Sequence, residues 1–129
     1  MPPTLPFWLA FTATVGLLIG ALWSAWVRRR RLHLVLGPCT IVALAVAILL
    51  TEQLMRQYEF PAEALQFHLY FAKAGGLLAL PVAVTGVWLW RSESGRWWHR
   101  IAVIVWLVAV LLATGTGLWL FGQGSLKAG

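Results

Sequence analysis

Apolar residues come in four long runs, at 5–27, 34–55, 66–90 and 101–121, separated by short polar links. Each run approaches the roughly 20 residues that a helix needs to cross a hydrocarbon core. The pattern predicts helices over about 5–27, 33–56, 64–90 and 98–122, in a single membrane domain over residues 1–129. The links "RRRR", "RQYEFPAEAL" and "RSESGRWW" are short enough to force neighbours antiparallel, so the expected fold is all-α, an integral membrane up-down four-helix bundle.

Composition agrees: of 129 residues, 60% are hydrophobic and only 11% charged, which argues against an ordinary soluble domain. The net charge of +6 would suggest nucleic acid in a soluble chain, but its distribution here points to lipid instead. Arg28 to Arg31 follow the first run, and Arg91, Arg96 and Arg100 lie between the third and fourth. The other side holds Arg56, opposed by Glu59 and Glu63, and Lys127. The positive-inside rule then places both arginine links in the cytoplasm and both termini outside, in the periplasm of a bacterial inner membrane. No positive charge precedes the first run in "MPPTLPFW", so that run is expected to stay as an uncleaved anchor. Trp8, Trp23, Trp26, Trp88, Trp90, Trp97, Trp98 and Trp119 cluster near predicted helix ends, as headgroup-level anchors do. Cys39 stands alone, which excludes an internal disulfide or a multi-thiolate metal site and suits a small core residue.

The third and fourth runs share a pattern when aligned on their histidines. His68 is followed at the seventeenth and eighteenth positions by Thr85 and Gly86, and His99 at the same offsets by Thr116 and Gly117. Eighteen residues make five turns, so each His and its Gly share a helix face about 27 Å apart. In an antiparallel pair Gly86 then comes level with His99, and Gly117 with His68. Bare backbone at that level leaves room either for a flat ligand held by the His or for close helix packing. The stripe His68, Ala72, Gly75, Ala79, Gly86 and the "GLLIG" at 16–20 fit the packing reading.

His33 opens the second run and His99 the fourth, both beside arginines. In an up-down bundle these helices are diagonal and parallel, so two inward imidazoles at one depth would form the bis-histidine pair of a haem b. Arg30, Arg31, Arg96 and Arg100 would suit its propionates, with Gly86 beside the macrocycle. Thr40, Gly37, Thr51 and Met55 lie within about 40° of His33 and mark an inward face. The bland alternative is two interfacial histidines bonded to headgroups. On the other side stand Glu52, His68 and Lys73. Lys73 is about 140° around the helix from His68, so the two serve separate jobs. Lys73 has two simple outlets, snorkelling outward or pairing with Glu52. A proton path through these groups lacks a mid-membrane acid, and an outer haem on His68 and Met55 is a further alternative. No nucleophile with a base, phosphate loop or carboxylate pair appears, so an electron-transfer or accessory subunit is expected rather than a stand-alone enzyme.

From residue 28 onward the chain resembles a small four-helix bacterial membrane family found beside haem-copper oxidase genes and implicated in oxidase function or assembly. The resemblance rests on "RRRRLH" at 28–33, "LLALPVAVTGVWLWR" at 77–91, "HRIA" at 99–102 and "TGTGLWLF" at 114–121, and covers about three quarters of the chain. His33 and His99 match family histidines. Two further family histidines fall where this chain has Glu52 to Met55 and His68 to Lys73. A looser similarity joins it to four-helix b-type cytochromes, which use His ligands and glycines facing the macrocycle. The resemblance implies membership of a larger respiratory membrane complex, with haem b as the cofactor or, alternatively, a cofactor-free accessory role.

Overall fold

The computed structural model describes residues 4–127. The two chain ends, on which the outward placement of the termini bears, lie outside these residues. Four helices carry the fold: α1 (Leu5–Trp26), α2 (Arg30–Met55), α3 (Ala62–Arg91) and α4 (Arg96–Gln123). Each agrees with its predicted range to within three residues. All four are long and apolar enough to cross a membrane, which marks a multi-pass membrane protein. Two details were not expected. A single 3-10 turn, Glu93–Gly95, joins α3 to α4, and a two-residue strand β1 (Tyr58–Glu59) pairs with β2 (Ser125–Leu126).

The chain divides into two compact units, Met1–Tyr58 and Glu59–Gly129. In the first, α1 packs against α2. Pro6 sits in the first turn of α1, where a missing N–H costs nothing. The turn into α2 is a Schellman cap: Arg28 N–H donates to the Ala25 carbonyl and Arg29 N–H to that of Ser24. Its left-handed position is usually glycine, but here it is Arg28, at φ 60°. Arg29 then lies over the Trp23 ring, 5.6 Å from its centroid. Buried positions recur every seven residues, at Phe7, Thr14 and Ala21 on α1 and at Thr40, Ala47 and Leu54 on α2. That is the period of a left-handed helix seam. The seam is small and partly polar, yet its hydroxyls are satisfied within their own helices: Thr14 on Ala10, Thr40 on Leu36 and Ser24 on Ala21. Of the "GLLIG" motif only Gly20 makes a close approach, 3.2 Å from its Cβ position to Leu36 Cδ1; Gly16 faces open space.

In the second unit α3 packs against α4. Pro61 precedes α3, with Glu63 in its first turn and Arg91 in its last, each charge matching the helix dipole. Gly75 lets α3 come within 4 Å of the Val110 backbone, as the small-residue stripe predicts. Near β1 and β2, Phe60 lies directly against Gly124 and packs edge-on to Phe121. Across the chain large apolar side chains such as Leu9, Ile19, Val42, Leu77 and Leu111 point outward while Thr, Ser, Ala and His are buried. A water-soluble fold would reverse that arrangement.

Candidate functional site

The repeated His, Thr and Gly of α3 and α4 assemble into two clasps related by a local two-fold. His68 Nδ1 lies 3.0 Å from Thr116 Oγ1, and His99 Nδ1 lies 3.1 Å from Thr85 Oγ1. Each ring sits over the glycine adjacent to its threonine. A Cβ on Gly117 would stand 3.0 Å from His68 Cε1, and one on Gly86 would stand 3.3 Å from His99 Cε1. The space above both glycines is therefore taken by the imidazole itself. Any larger residue would have to push the ring aside.

The partners of each Nδ1 favour one ring tautomer. Thr116 Oγ1 already donates its single hydrogen to the Leu112 carbonyl at 2.7 Å, and Thr85 Oγ1 to the Pro81 carbonyl at 2.6 Å. A hydroxyl whose hydrogen goes to a carbonyl accepts from the imidazole, an arrangement that favours the Nδ1–H tautomer in both rings. His33, in the first unit, reaches the same state by another route: its Nδ1 is 2.8 Å from the Ala21 carbonyl, which cannot donate. With Nδ1 as the donor, the nitrogen left to bind a metal is Nε2. An Nδ1–H held by a backbone or hydroxyl oxygen is how ligating histidines are oriented.

The two clasps are not equivalent. Nδ1, Cε1 and Nε2 of His68 all come within 4 Å of the Gly117 Cβ position, and the residue is 8% exposed. His99 presents only Cε1 and Nδ1 to Gly86 and is half-buried, with Nε2 turned away from the notch.

Set against family models, curated proteins and solved structures, the chain matches none.

The remaining predicted residues fall as follows. His99, Gly86 and the adjoining Thr85 are brought together in the second unit; His33 belongs to the first. Arg30 and Arg31 occupy the first turn of α2, and Arg96 and Arg100 the first two turns of α4, all exposed. No acid lies in either first turn, so cations stand at the positive ends of two helix dipoles, where an anion would be favoured. Glu93, at 4.0 Å from Arg96, offsets part of this. Glu52 pairs with Arg56 one turn along α2, at 3.1 Å, so it has a partner on its own helix. Lys73 is exposed and has no ion pair or hydrogen bond among the described residues. Cys39 is exposed rather than buried in a core. Among the described residues no cluster of three or more His, Cys, Asp or Glu could hold a bare metal ion.

Three residues carry no role in the sequence pattern. Thr85 and Thr116 were recognised as part of the repeat but given no role, although their offset from the histidines was the available signal. Trp106 is the tryptophan left out of the helix-end group. It is buried in α4, and its indole Nε1 has no hydrogen-bond partner among the described residues.

Proposed function

We propose that this chain is a multi-pass protein of a bacterial inner membrane, with both termini periplasmic, that serves a respiratory electron-transfer assembly and holds one haem b through His33 and His99. The observation that carries the reading is the partner of each Nδ1. That of His33 lies against an oxygen of α1 and that of His99 against an oxygen of α3, contacts that hold the ring plane and favour Nε2 as the coordinating nitrogen. The half-buried setting of His99, with Nε2 clear of Gly86, separates it from the enclosed His68. Arg30, Arg31, Arg96 and Arg100, at helix ends that lack acids, would hold the propionates. When bound, the haem would supply a one-electron redox centre. The part of the chain would be to hold each imidazole at Nδ1 and to supply arginines from the first turns of the same helices.

The test is a reduced-minus-oxidised visible spectrum of protein purified from haem-supplied cells. A b-type signal is expected, lost in His33→Ala and in His99→Ala and kept in His68→Ala. Its absence from the wild-type protein removes the haem reading.

A second reading is favoured by the clasps themselves. They give His68 and His99 a packing role that needs no cofactor, as in an accessory or assembly subunit of a larger membrane complex. Co-purification with such a complex in mild detergent, without any haem signal, would establish it.

A further inference from the structure

One face of α3 remains outside both the clasps and the proposed haem site. Lys73, Leu77, Leu80, Val84, Val87 and Arg91 follow one another at steps of four and three residues and are all exposed. They form a single line opposite the His68 and Gly75 face that meets α4. The line has a cation at each end and only aliphatic side chains between. Neither Lys73 nor Arg91 has an ion pair or hydrogen bond among the described residues. Eighteen residues separate them, about 27 Å along the helix, close to the roughly 30 Å of a hydrocarbon core. At the Arg91 end a shallow, mainly apolar groove of about 360 Å³ is lined by Val87, Trp90 and Arg91. At the other end Tyr70, one turn before Lys73, is exposed, and a lysine stem on a helix can extend towards the helix start.

We propose that this face seats anionic phospholipids of both leaflets, the phosphate of one on Lys73 beside Tyr70, and that of the other on Arg91 with its acyl chain along Val87 and Trp90. Charge and spacing favour lipid over a partner helix. A partner helix would need acids at both ends of the line, whereas a bilayer supplies phosphates just beyond each face of a hydrocarbon core of about that thickness, within reach of the long Lys73 and Arg91 side chains. The inference rests on the membrane-spanning reading and is independent of haem.

The experiment is native mass spectrometry of the detergent-released full chain, titrated with phosphatidylglycerol or phosphatidylcholine. Preferential retention of phosphatidylglycerol is expected. Lys73→Gln and Arg91→Gln should each weaken it about fivefold, Lys73→Arg should restore it, and Arg56→Gln should leave it unchanged. Equal retention of the two lipids, or undiminished retention in the Lys73→Gln, Arg91→Gln double variant, overturns the proposal. So does a zero-length cross-link from Lys73 to a carboxylate of another membrane protein in cells. Carbonate extraction of each variant separates loss of this lipid contact from failure to insert at all.

Discussion

Gly117→Ala is the sharpest test of the clasp. The added methyl would lie 3.0 Å from His68 Cε1, closer than two carbons ordinarily pack, so the ring would have to give by a few tenths of an ångström. His68 cannot yield easily, because it is buried and its Nδ1 is bound to Thr116. Overpacking of this kind costs about 1–3 kcal/mol. Against it stands the better helix propensity of alanine, about 1 kcal/mol. The net effect should be a loss of about 0–2 kcal/mol. Gly115→Ala, on the same helix with nothing near its Cβ position, gains the propensity term without the clash and serves as the reference. Gly86→Ala, with its closest contact at 3.3 Å, should fall between the two. The decisive comparison is a double-mutant cycle. In a His68→Ala background the ring is gone and the Gly117→Ala clash should vanish, giving a coupling of about 1–3 kcal/mol. The hydrogen bond contributes little to that figure, since such bonds average about 0.6 kcal/mol in membrane proteins. Sodium dodecyl sulfate titration in mixed micelles, followed by tryptophan fluorescence, would read these differences. If Gly117→Ala costs the same with and without His68, the ring does not rest on the glycine and the clasp is wrong.

Three shorter predictions concern the same elements. Arg28→Gly should stabilise the first unit by about 1 kcal/mol in the same titration, because it removes a side chain from a left-handed position without touching the Schellman bonds. Thr85→Val should lower stability by well under about 1 kcal/mol, yet free His99 to exchange its proton between ring nitrogens, seen as altered imidazole ¹⁵N shifts; unchanged shifts would show that Thr85 does not set the tautomer. Gly124→Ala should displace Phe60 from its contact and cost about 1–3 kcal/mol, with the Phe60 and Phe121 ring resonances shifting together.

The helices were legible because lipid imposes a length on apolar runs, and no tertiary contact was needed to read Leu5–Trp26 or Arg96–Gln123 to within a few residues. The pairing of α3 with α4 was legible too, because the His-to-Gly offset equals five turns and a short link fixes direction. What could not be read was the occupant of the notch. Spacing puts Gly86 level with His99, but only side-chain rotamers decide whether the imidazole or a ligand lies over bare backbone. The Schellman cap was hidden for a different reason: four consecutive arginines advertise charge and contain no glycine to signal the left-handed turn at Arg28. The Glu52 partner was hidden by its ordinariness. An i, i+4 bond to Arg56 competes with any longer-range ion pair and is already formed within the helix.

The two clasps also show how one repeat supports different roles. An antiparallel pair carrying the same His, Thr and Gly offsets must bring each His to the other helix's Thr and Gly, so geometry alone duplicates the lock. What the duplication does not fix is how far each ring enters its notch. His68 lies on α3 two turns from the helix start, with Gly75 and Val110 in close contact further along the same face, and its ring is enclosed with both nitrogens against Gly117. His99 is the fourth residue of α4, just after the 3-10 turn, where the packed face is only beginning, and its Nε2 stays outside the Gly86 notch. A ligand needs a ring that is held at one nitrogen and presented at the other. Of the two clasped histidines His68 is the enclosed one, so the proposed haem is tested by His99→Ala, with His68→Ala as its control.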